Sequence, residues 1–407
     1  MSKELTSALQ LPAYRAYFIC GWFSTIGFWV FKVALGWAAW EITQSPFWTG
    51  LIIASTLAPT FFLTPIFGVF ADRWRLKRTM MAITSGQGLI SLAFAAGSYW
   101  GELSISFMIV FSLLHGVLVA AYSPMRLSVM PRLVPKSLYL SAAGLGALVF
   151  NFARIVGPLV GGVIIAQYGV AFSFFASAFC SIFYVLFFTR VVLTPKEGKP
   201  LKRQSLGREL VDGIVYLLQL PGAAMIVLVT ALNGLLGRSF FEILPAYAGA
   251  VLNSGAEGLA TLTAASGAGA ACLGIYLQVF RSSKQGSLLV MALILVAACF
   301  VLLMLGVTND MIIASILAAS MGFLATFIGI MAQTQLQVTT DDNHRGRVMS
   351  IWTTVSLGVP AIGAFILGGL GSLFGVAGSL VISGIFGVVV MIVVFLKRGD
   401  FHDRQHN

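Results

Sequence analysis

Charged side chains are scarce in this chain, and four of them, Lys32, Arg154, Arg238 and Glu242, fall inside long apolar runs. A charge at the centre of a bilayer costs about 2.5 to 3.5 kcal/mol even on the lenient insertion scale, so such positions mark function by default. The chemistry open to them is ion pairing, recognition of a charged solute and proton exchange. Arg238 and Glu242 are four residues apart, which places both on one helical face and permits an ion pair. A pair that fixes packing and a pair that serves function fit that spacing equally. Lys32 has no acidic neighbour at helical distance in its own run. It lies about eight residues before that run's outer end, so snorkelling to the interface, the competing reading, covers only part of the distance.

A proton exchanged inside the membrane needs a titratable group there. Glu242 is the first candidate, and its protonation would break its ion pair and change the local charge. Glu41, at the outer end of the first run, is the second. His115 is the third, although a lone imidazole on an apolar face is more often a packing residue. Three cations and one carboxylate within the runs favour a solute with negative charge, such as a carboxylate, catecholate or phosphate, while a neutral macrolide-like solute also fits. Phe28 and Trp29, one turn before Lys32, are candidate walls for it.

Other chemistries find little support. His115, His344, His402 and His406 do not cluster with one another or with cysteine, so no metal spacing is visible. Cys20, Cys180, Cys272 and Cys299 all lie in apolar segments, where a thiol usually serves as a small buried hydrophobe. There is no Walker-type nucleotide loop and no nucleophile paired with a base, which argues against an ATP-driven pump and against a polytopic membrane enzyme.

The elements that carry these residues follow from composition: 58% of residues are hydrophobic, 10% are charged, and the mean hydropathy is +0.93. That is a membrane protein. About 20 mostly apolar residues cross a bilayer core as a helix, and twelve such segments are expected, near 17–40, 47–71, 79–100, 104–126, 138–166, 170–193, 221–251, 258–280, 286–307, 311–334, 348–371 and 375–396. They lack the alternation of a barrel strand. The first is too long for a signal-peptide core and is expected to remain as a span. Lysine and arginine gather in one set of loops, while the opposite loops carry Glu102, Glu257 and Asp310, so both termini are expected in the cytoplasm. The net charge of +11 then reflects topology and anionic lipid headgroups rather than nucleic acid.

An offset of 206 residues aligns Gly157, Gly162, Gly169, Val170, Ala171, Ser173 and Ser177 with Gly363, Gly368, Gly375, Val376, Ala377, Ser379 and Ser383. Two halves of six spans are the simplest reading, with a solute site between them near the midplane. The expected divisions are an N-terminal bundle over 1–193, a cytoplasmic linker over 194–220 and a C-terminal bundle with a short tail over 221–407. In the linker, Leu206, Leu210, Ile214, Leu217 and Leu218 recur at helical spacing, as in a helix lying along the membrane interface.

The loop between spans two and three reads "GVFADRWRLKR", and this stretch resembles the motif G-x-L-a-D-R-x-G-R-K of the major facilitator superfamily. Gly68, Ala71, Asp72, Arg73 and Lys77 match, whereas Arg75 and Leu76 replace a glycine and an arginine. The resemblance implies a latch in which Asp72 meets the positive end of a neighbouring helix while Arg73 and Lys77 pair with loop carboxylates. Simple anchoring of the loop by its cations is the alternative. In span five, "ARIVGPLVGG" resembles the family's antiporter motif through Gly157, Pro158, Gly161 and Gly162, which implies a pivot or seal between helices. The segments "NFARIVGP", "FEILPAYA" and "RGRVMSIW" are similar to the branch of enterobactin exporters and macrolide efflux proteins. Family architecture implies a cavity lined by spans one, four, seven and ten; the candidate cavity residues are Lys32, Phe28 and Trp29 of span one, Arg238 of span seven, and Asn151 and Arg154 of span five. Ser112 stands where the family's drug antiporters have an arginine, so coupling of that kind is not expected.

The expectation is thus an all-α polytopic membrane protein of two pseudo-symmetric six-helix bundles. It acts as a monomer in the bacterial inner membrane and exports an amphiphilic small molecule, a siderophore or drug, by exchange with protons and without a cofactor. A uniporter or lipid-headgroup carrier is the alternative within transport, and a non-transporting receptor the alternative outside it.

Overall fold

The computed structural model describes residues 7–70, 74–194, 206–279 and 288–403. Helix follows helix: α1 (Pro12–Thr43), α2 (Pro46–Phe70), α3 (Leu76–Trp100), α4 (Ile105–Val129), α5 (Tyr139–Tyr168), α6 (Val170–Phe188), α7 (Leu206–Gln219), α8 (Pro221–Leu232), α9 (Ser239–Ala250), α10 (Gly255–Val279), α11 (Leu288–Val307), α12 (Met311–Thr339) and α13 (Asp342–Asp403). Among the described residues, eleven continuous helical stretches are long and apolar enough to cross a bilayer. The last of them, at 47 residues, would extend about 70 Å at 1.5 Å per residue, more than twice the hydrocarbon thickness. It is divided at Gly375, whose φ of 74° and ψ of 158° interrupt the helix, so α13 holds two spans and the described residues make twelve crossings. Gly169, 206 positions earlier, breaks the chain between α5 and α6 with φ 88° and ψ 169°. Both conformations belong almost solely to glycine, so the repeat in the sequence is also a repeat in the backbone.

Helix ends are set locally. Ser104 caps α4 by accepting the Phe107 N–H at 3.2 Å, and Asp310 caps α12 by accepting from Ile312 and Ile313 at 2.8 and 2.9 Å. The seventh span departs from the single helix expected over 221–251. Between α8 and α9 the backbone widens into a π-helical turn, Asn233–Arg238, and Pro245 lies inside α9. Such turns are rare and cluster at functional sites. Asn233 bonds the Ala325 carbonyl of α12 at 3.0 Å, which ties the irregular turn to its neighbour.

Lys and Arg mark one end of the bundle, the basic side, through Arg75, Lys77, Arg132 and Arg190. Buried apolar residues form three clusters. One unites both halves on the far side, joining Phe31–Trp40 positions of α1 with Phe240–Ala248 of α9 and with α10 to α13. The other two sit on the basic side, one built only from α1, α3, α4, α5 and α6 with their flanking loops, the other only from α7 to α13. The halves therefore meet on the far side and separate on the basic side.

Small residues make the far contact close. A Cβ placed on Gly36 would lie 2.6 Å from Pro245 Cγ, and one on Gly50 would lie 2.6 Å from the Ala364 carbonyl oxygen. Lipid tails are as apolar as the helices, so such backbone approach, rather than a hydrophobic drive, holds spans together. On the basic side, α7 lies against the start of α13. Asp212 pairs with Arg347 at 3.5 Å, the Tyr216 ring stacks on His344 at 4.0 Å, and the Tyr216 hydroxyl donates to Asp341 at 3.2 Å. Ile214 and Leu218 of α7 stay exposed, as an interfacial helix requires.

Candidate functional site

Where the halves separate, a cavity of about 300 Å³ runs from the midplane to the basic side. Its walls come from helical stripes. On α1, Ser24, Phe28 and Lys32 recur every fourth residue; on α3, Thr84, Gln87 and Ser91 share a face; on α4, His115, Tyr122 and Arg126 do so. Phe150, Arg238, Glu242 and Ser356 close the remaining sides. His115 and Arg126 are eleven residues apart, so Arg126 stands about 16 Å nearer the mouth.

At the blind end, Lys32 Nζ bonds Glu242 Oε1 at 2.8 Å. Glu242 is buried, with 8% of its side chain exposed, and Lys32 is 28% exposed to the cavity. Glu242 Oε2 is buried and has no hydrogen-bond partner in the protein. The Lys32 ammonium also lies 5.4 Å from the Trp29 ring centre, a cation–π contact. The ion pair expected between Arg238 and Glu242 does not form: among the described residues Glu242 pairs with Lys32, and Arg238 is exposed to the cavity without an ionic partner. A partner from another span, 210 residues away, displaced the one four residues away because Lys32 reaches the carboxylate across the interface of the halves.

The other candidates divide. Phe28 and Trp29 line the cavity and meet edge to face at 5.6 Å. His115 lines it too, buried and stacked on Phe31 at 4.1 Å, with Nδ1 lacking a protein partner. Arg154 does not line it and sits 5.8 Å over the Phe241 ring. Glu41 is exposed at the far end of α1, apart from the cavity. Asp72 and Arg73 lie outside the described residues, as does the side chain of Asn151. Lys77, expected to meet a carboxylate, instead donates to the Thr189 carbonyl at 2.6 Å, because the end of α6 packs beside it. A Cβ on Gly68 would meet nothing within 4 Å, so close packing does not require that glycine.

The glycines of span five seat other helices. A Cβ on Gly157 would lie 2.6 Å from Trp29 Cβ, and one on Gly161 would lie 3.5 Å from Val30 Cα, so this face of α5 receives the stretch of α1 that carries Lys32. Gly162 meets Ala260 of α10 in the opposite half, and Pro158 is buried. Sequence reasoning passed over Arg126, Gln87, Tyr122 and Ser24. The signal for Arg126 was its register with His115 and Tyr122 on α4. Tyr122 and Ser24 bond each other at 2.9 Å, which ties α4 to α1 at the cavity wall.

Three cations, Lys32, Arg126 and Arg238, thus face one carboxylate in an aromatic-walled space. Among the described residues no cluster of His, Cys, Asp or Glu is arranged to hold a metal ion.

Comparison with solved structures places this architecture among major facilitator transporters. The nucleoside transporter NupG superposes with a TM-score of 0.76 at 13% identity, covering 95% of this chain and 99% of its own. A bacterial homolog of the human lysosomal transporter Spinster, inward-facing and unoccupied, gives 0.72 at 13% identity over 93% and 95% of the two chains. In sequence, the enterobactin exporter EntS of Shigella boydii serotype 18 is 26% identical over 387 residues, 95% of this chain and 91% of that protein. EntS of Salmonella paratyphi A is 25% identical over 395 residues, 96% and 93% of the two. Residues 5–405 match the transmembrane secretion effector family across almost the whole chain, and the protein belongs to that family.

Proposed function

We propose that this membrane transporter exports an amphiphilic, acidic small molecule bearing hydroxyl groups across the bacterial inner membrane in exchange for protons. A catecholate siderophore is the leading cargo class, supported by the similarity to enterobactin exporters and by the cationic, aromatic lining of the cavity. Transport rather than catalysis is the activity, the proton gradient is the energy source, and no cofactor takes part. Both termini and the basic side face the cytoplasm, so the cavity receives cargo from within.

The observation that carries the exchange is the state of the Glu242 carboxylate. Oε1 is held by Lys32, and Oε2 is buried without a partner beside the cavity. A proton arriving on Glu242 occupies Oε2; a cargo hydroxyl donating a hydrogen bond needs the same atom unprotonated. The two ligands exclude each other, which is the condition for antiport. Arg126 at the mouth draws in the acidic groups of the cargo, and Arg238 at the blind end, whose charge Glu242 does not neutralise, meets them. Loaded, the halves rock to close the basic side and open the far side; there cargo leaves, Glu242 takes a proton, and the carrier returns.

The test uses proteoliposomes with a trapped pH dye, to which a catecholate siderophore or a macrolide is added. Proton movement driven by siderophore in the wild type, absent in Glu242→Gln, is the expected result. Movement that survives the substitution transfers the coupling role to Glu41 or His115. Cargo flux without proton movement in either protein makes this a uniporter.

A further inference from the structure

A second cavity, of about 380 Å³, lies on the basic side apart from the first. Arg75 and Lys77 at the start of α3, Arg132 after α4, and Val191 to Leu193 after α6 line it, and it is open to the surface. The segment leaving α6 is pinned over it at both ends. Lys77 Nζ donates to the Thr189 carbonyl at 2.6 Å, and Thr194 donates twice to the Arg132 carbonyl, from its N–H at 3.1 Å and its hydroxyl at 2.8 Å. Among the described residues no acidic side chain lines the space, and neither Arg75 nor Arg132 has an ionic partner.

The first turn of α3 points into the same region. Arg75 is its N-cap and supplies no side-chain hydrogen bond, so the leading N–H groups of a 25-residue helix are not capped by that residue. Free N–H groups and the positive end of the helix dipole favour an anion, as do the three cations around them. The apolar part of the wall fits a lipid rather than a soluble anion. Val192 is 72% exposed, and Ile182 and Leu186, one turn apart on α6, are exposed as well. Basic pockets between spans on the cytoplasmic side are suited to acidic headgroups.

We propose that this cavity holds the phosphate headgroup of an anionic phospholipid, paired with Arg75 and Arg132, with an acyl chain lying along the exposed face of α6. The lipid would join the basic-side ends of α3, α4 and α6 within one half, away from the cargo.

The experiment titrates phosphatidylglycerol, phosphatidylcholine or glycerol phosphate into the purified full-length protein in detergent and follows its thermal unfolding midpoint. Phosphatidylglycerol is expected to raise the midpoint, and the other two to leave it unchanged. The Arg75→Gln/Arg132→Gln variant should bind phosphatidylglycerol about thirtyfold more weakly, at about 1 kcal/mol per cation removed. Arg190→Gln, which removes a neighbouring cation that packs on Phe187 outside the cavity, should behave as wild type. An equal loss in Arg190→Gln means general attraction to charge and overturns the site. An equal shift with glycerol phosphate overturns the lipid as its source. Should the double variant fail to fold, hydrogen exchange of the wild type in nanodiscs decides: amides of residues 76–79 and 190–194 must slow in phosphatidylglycerol relative to phosphatidylcholine, and unchanged exchange overturns the proposal.

Discussion

Lys32 and Glu242 are bonded at 2.8 Å across the boundary between the two halves, at the blind end of the central cavity. The contact sits beside the far-side seal, so it belongs to the conformation in which that side is closed. Its two members are unequally solvated, with the carboxylate nearly enclosed and the ammonium partly open to the cavity. In the proposed exchange, rearrangement of the halves, binding of cargo and binding of a proton all act on this one bond.

Unequal solvation gives an order to the single substitutions. Lys32→Met strands a buried carboxylate and should lower stability by about 3 kcal/mol, the range found when one partner of a buried pair is removed. Glu242→Gln leaves a lysine that the cavity still hydrates, and should cost about 1 kcal/mol. The combined variant should lose less than the sum. Thermal or denaturant unfolding of the purified proteins measures all three; losses that simply add would mean the two residues do not interact in the folded protein.

The proposed competition of cargo and proton for Glu242 Oε2 also sets a pH dependence, in which affinity for cargo should fall as pH falls. Once the free carrier is protonated, the decline should approach tenfold per pH unit, one proton being displaced per cargo bound. Calorimetric titrations at a series of pH values read this slope. In Glu242→Gln the profile should be flat, and a slope that persisted there would assign the displaced proton to another group.

Much of the architecture was legible because bilayer thickness, loop charge and glycine repeats act on local sequence. Gly169 and Gly375 align in sequence and break the backbone in the same way. The site was legible only by residue. Lys32, Glu242, Phe28, Trp29 and His115 stand out as costly or bulky groups in spans, and all five line the cavity. Their pairing was not legible, since helical spacing finds Arg238 four residues from Glu242 but carries no information on Lys32, 210 residues away. The π-helical turn at Asn233–Arg238 left no signal that composition or periodicity detects, and the bond from the Asn233 side chain to the Ala325 carbonyl is a contact between spans on which local sequence is silent. Arg154 and Glu41 show the limit of the rule that a charge in a span marks the path: one packs on Phe241, and the other reaches the far surface.

The far-side seal makes glycine substitutions conformational probes. An alanine at position 50 would push its Cβ to 2.6 Å from the Ala364 carbonyl oxygen, a backbone atom that cannot turn aside. Gly50→Ala should therefore drive α2 and α13 apart and raise the population open to the far side. Spin labels at Glu102 and Asn309, exposed on far-side loops of opposite halves, would report a longer distance, in a protein whose exposed Cys272 is replaced. Gly21→Ala, with nothing within 4 Å, is the control and should leave the distance unchanged.

The two unpaired arginines of the cavity should differ in how they act on an acidic cargo. Arg238 lies beside Glu242 at the blind end, where a cargo acid would form a charge-assisted hydrogen bond with it. Such bonds contribute about 1.5 to 3 kcal/mol, so Arg238→Gln should weaken an acidic cargo at least about tenfold, chiefly by speeding its release. Arg126 stands exposed at the mouth, about 16 Å away along α4, where it acts as a field rather than a contact. Arg126→Gln should slow capture at low ionic strength and lose that effect as salt is raised, because the Debye length shrinks below the distance over which the charge steers. Stopped-flow binding at two salt concentrations separates the cases. A neutral analogue of the same cargo should respond weakly to either substitution, and equal responses from neutral and acidic forms would mean that the cavity's positive charge does not select the cargo.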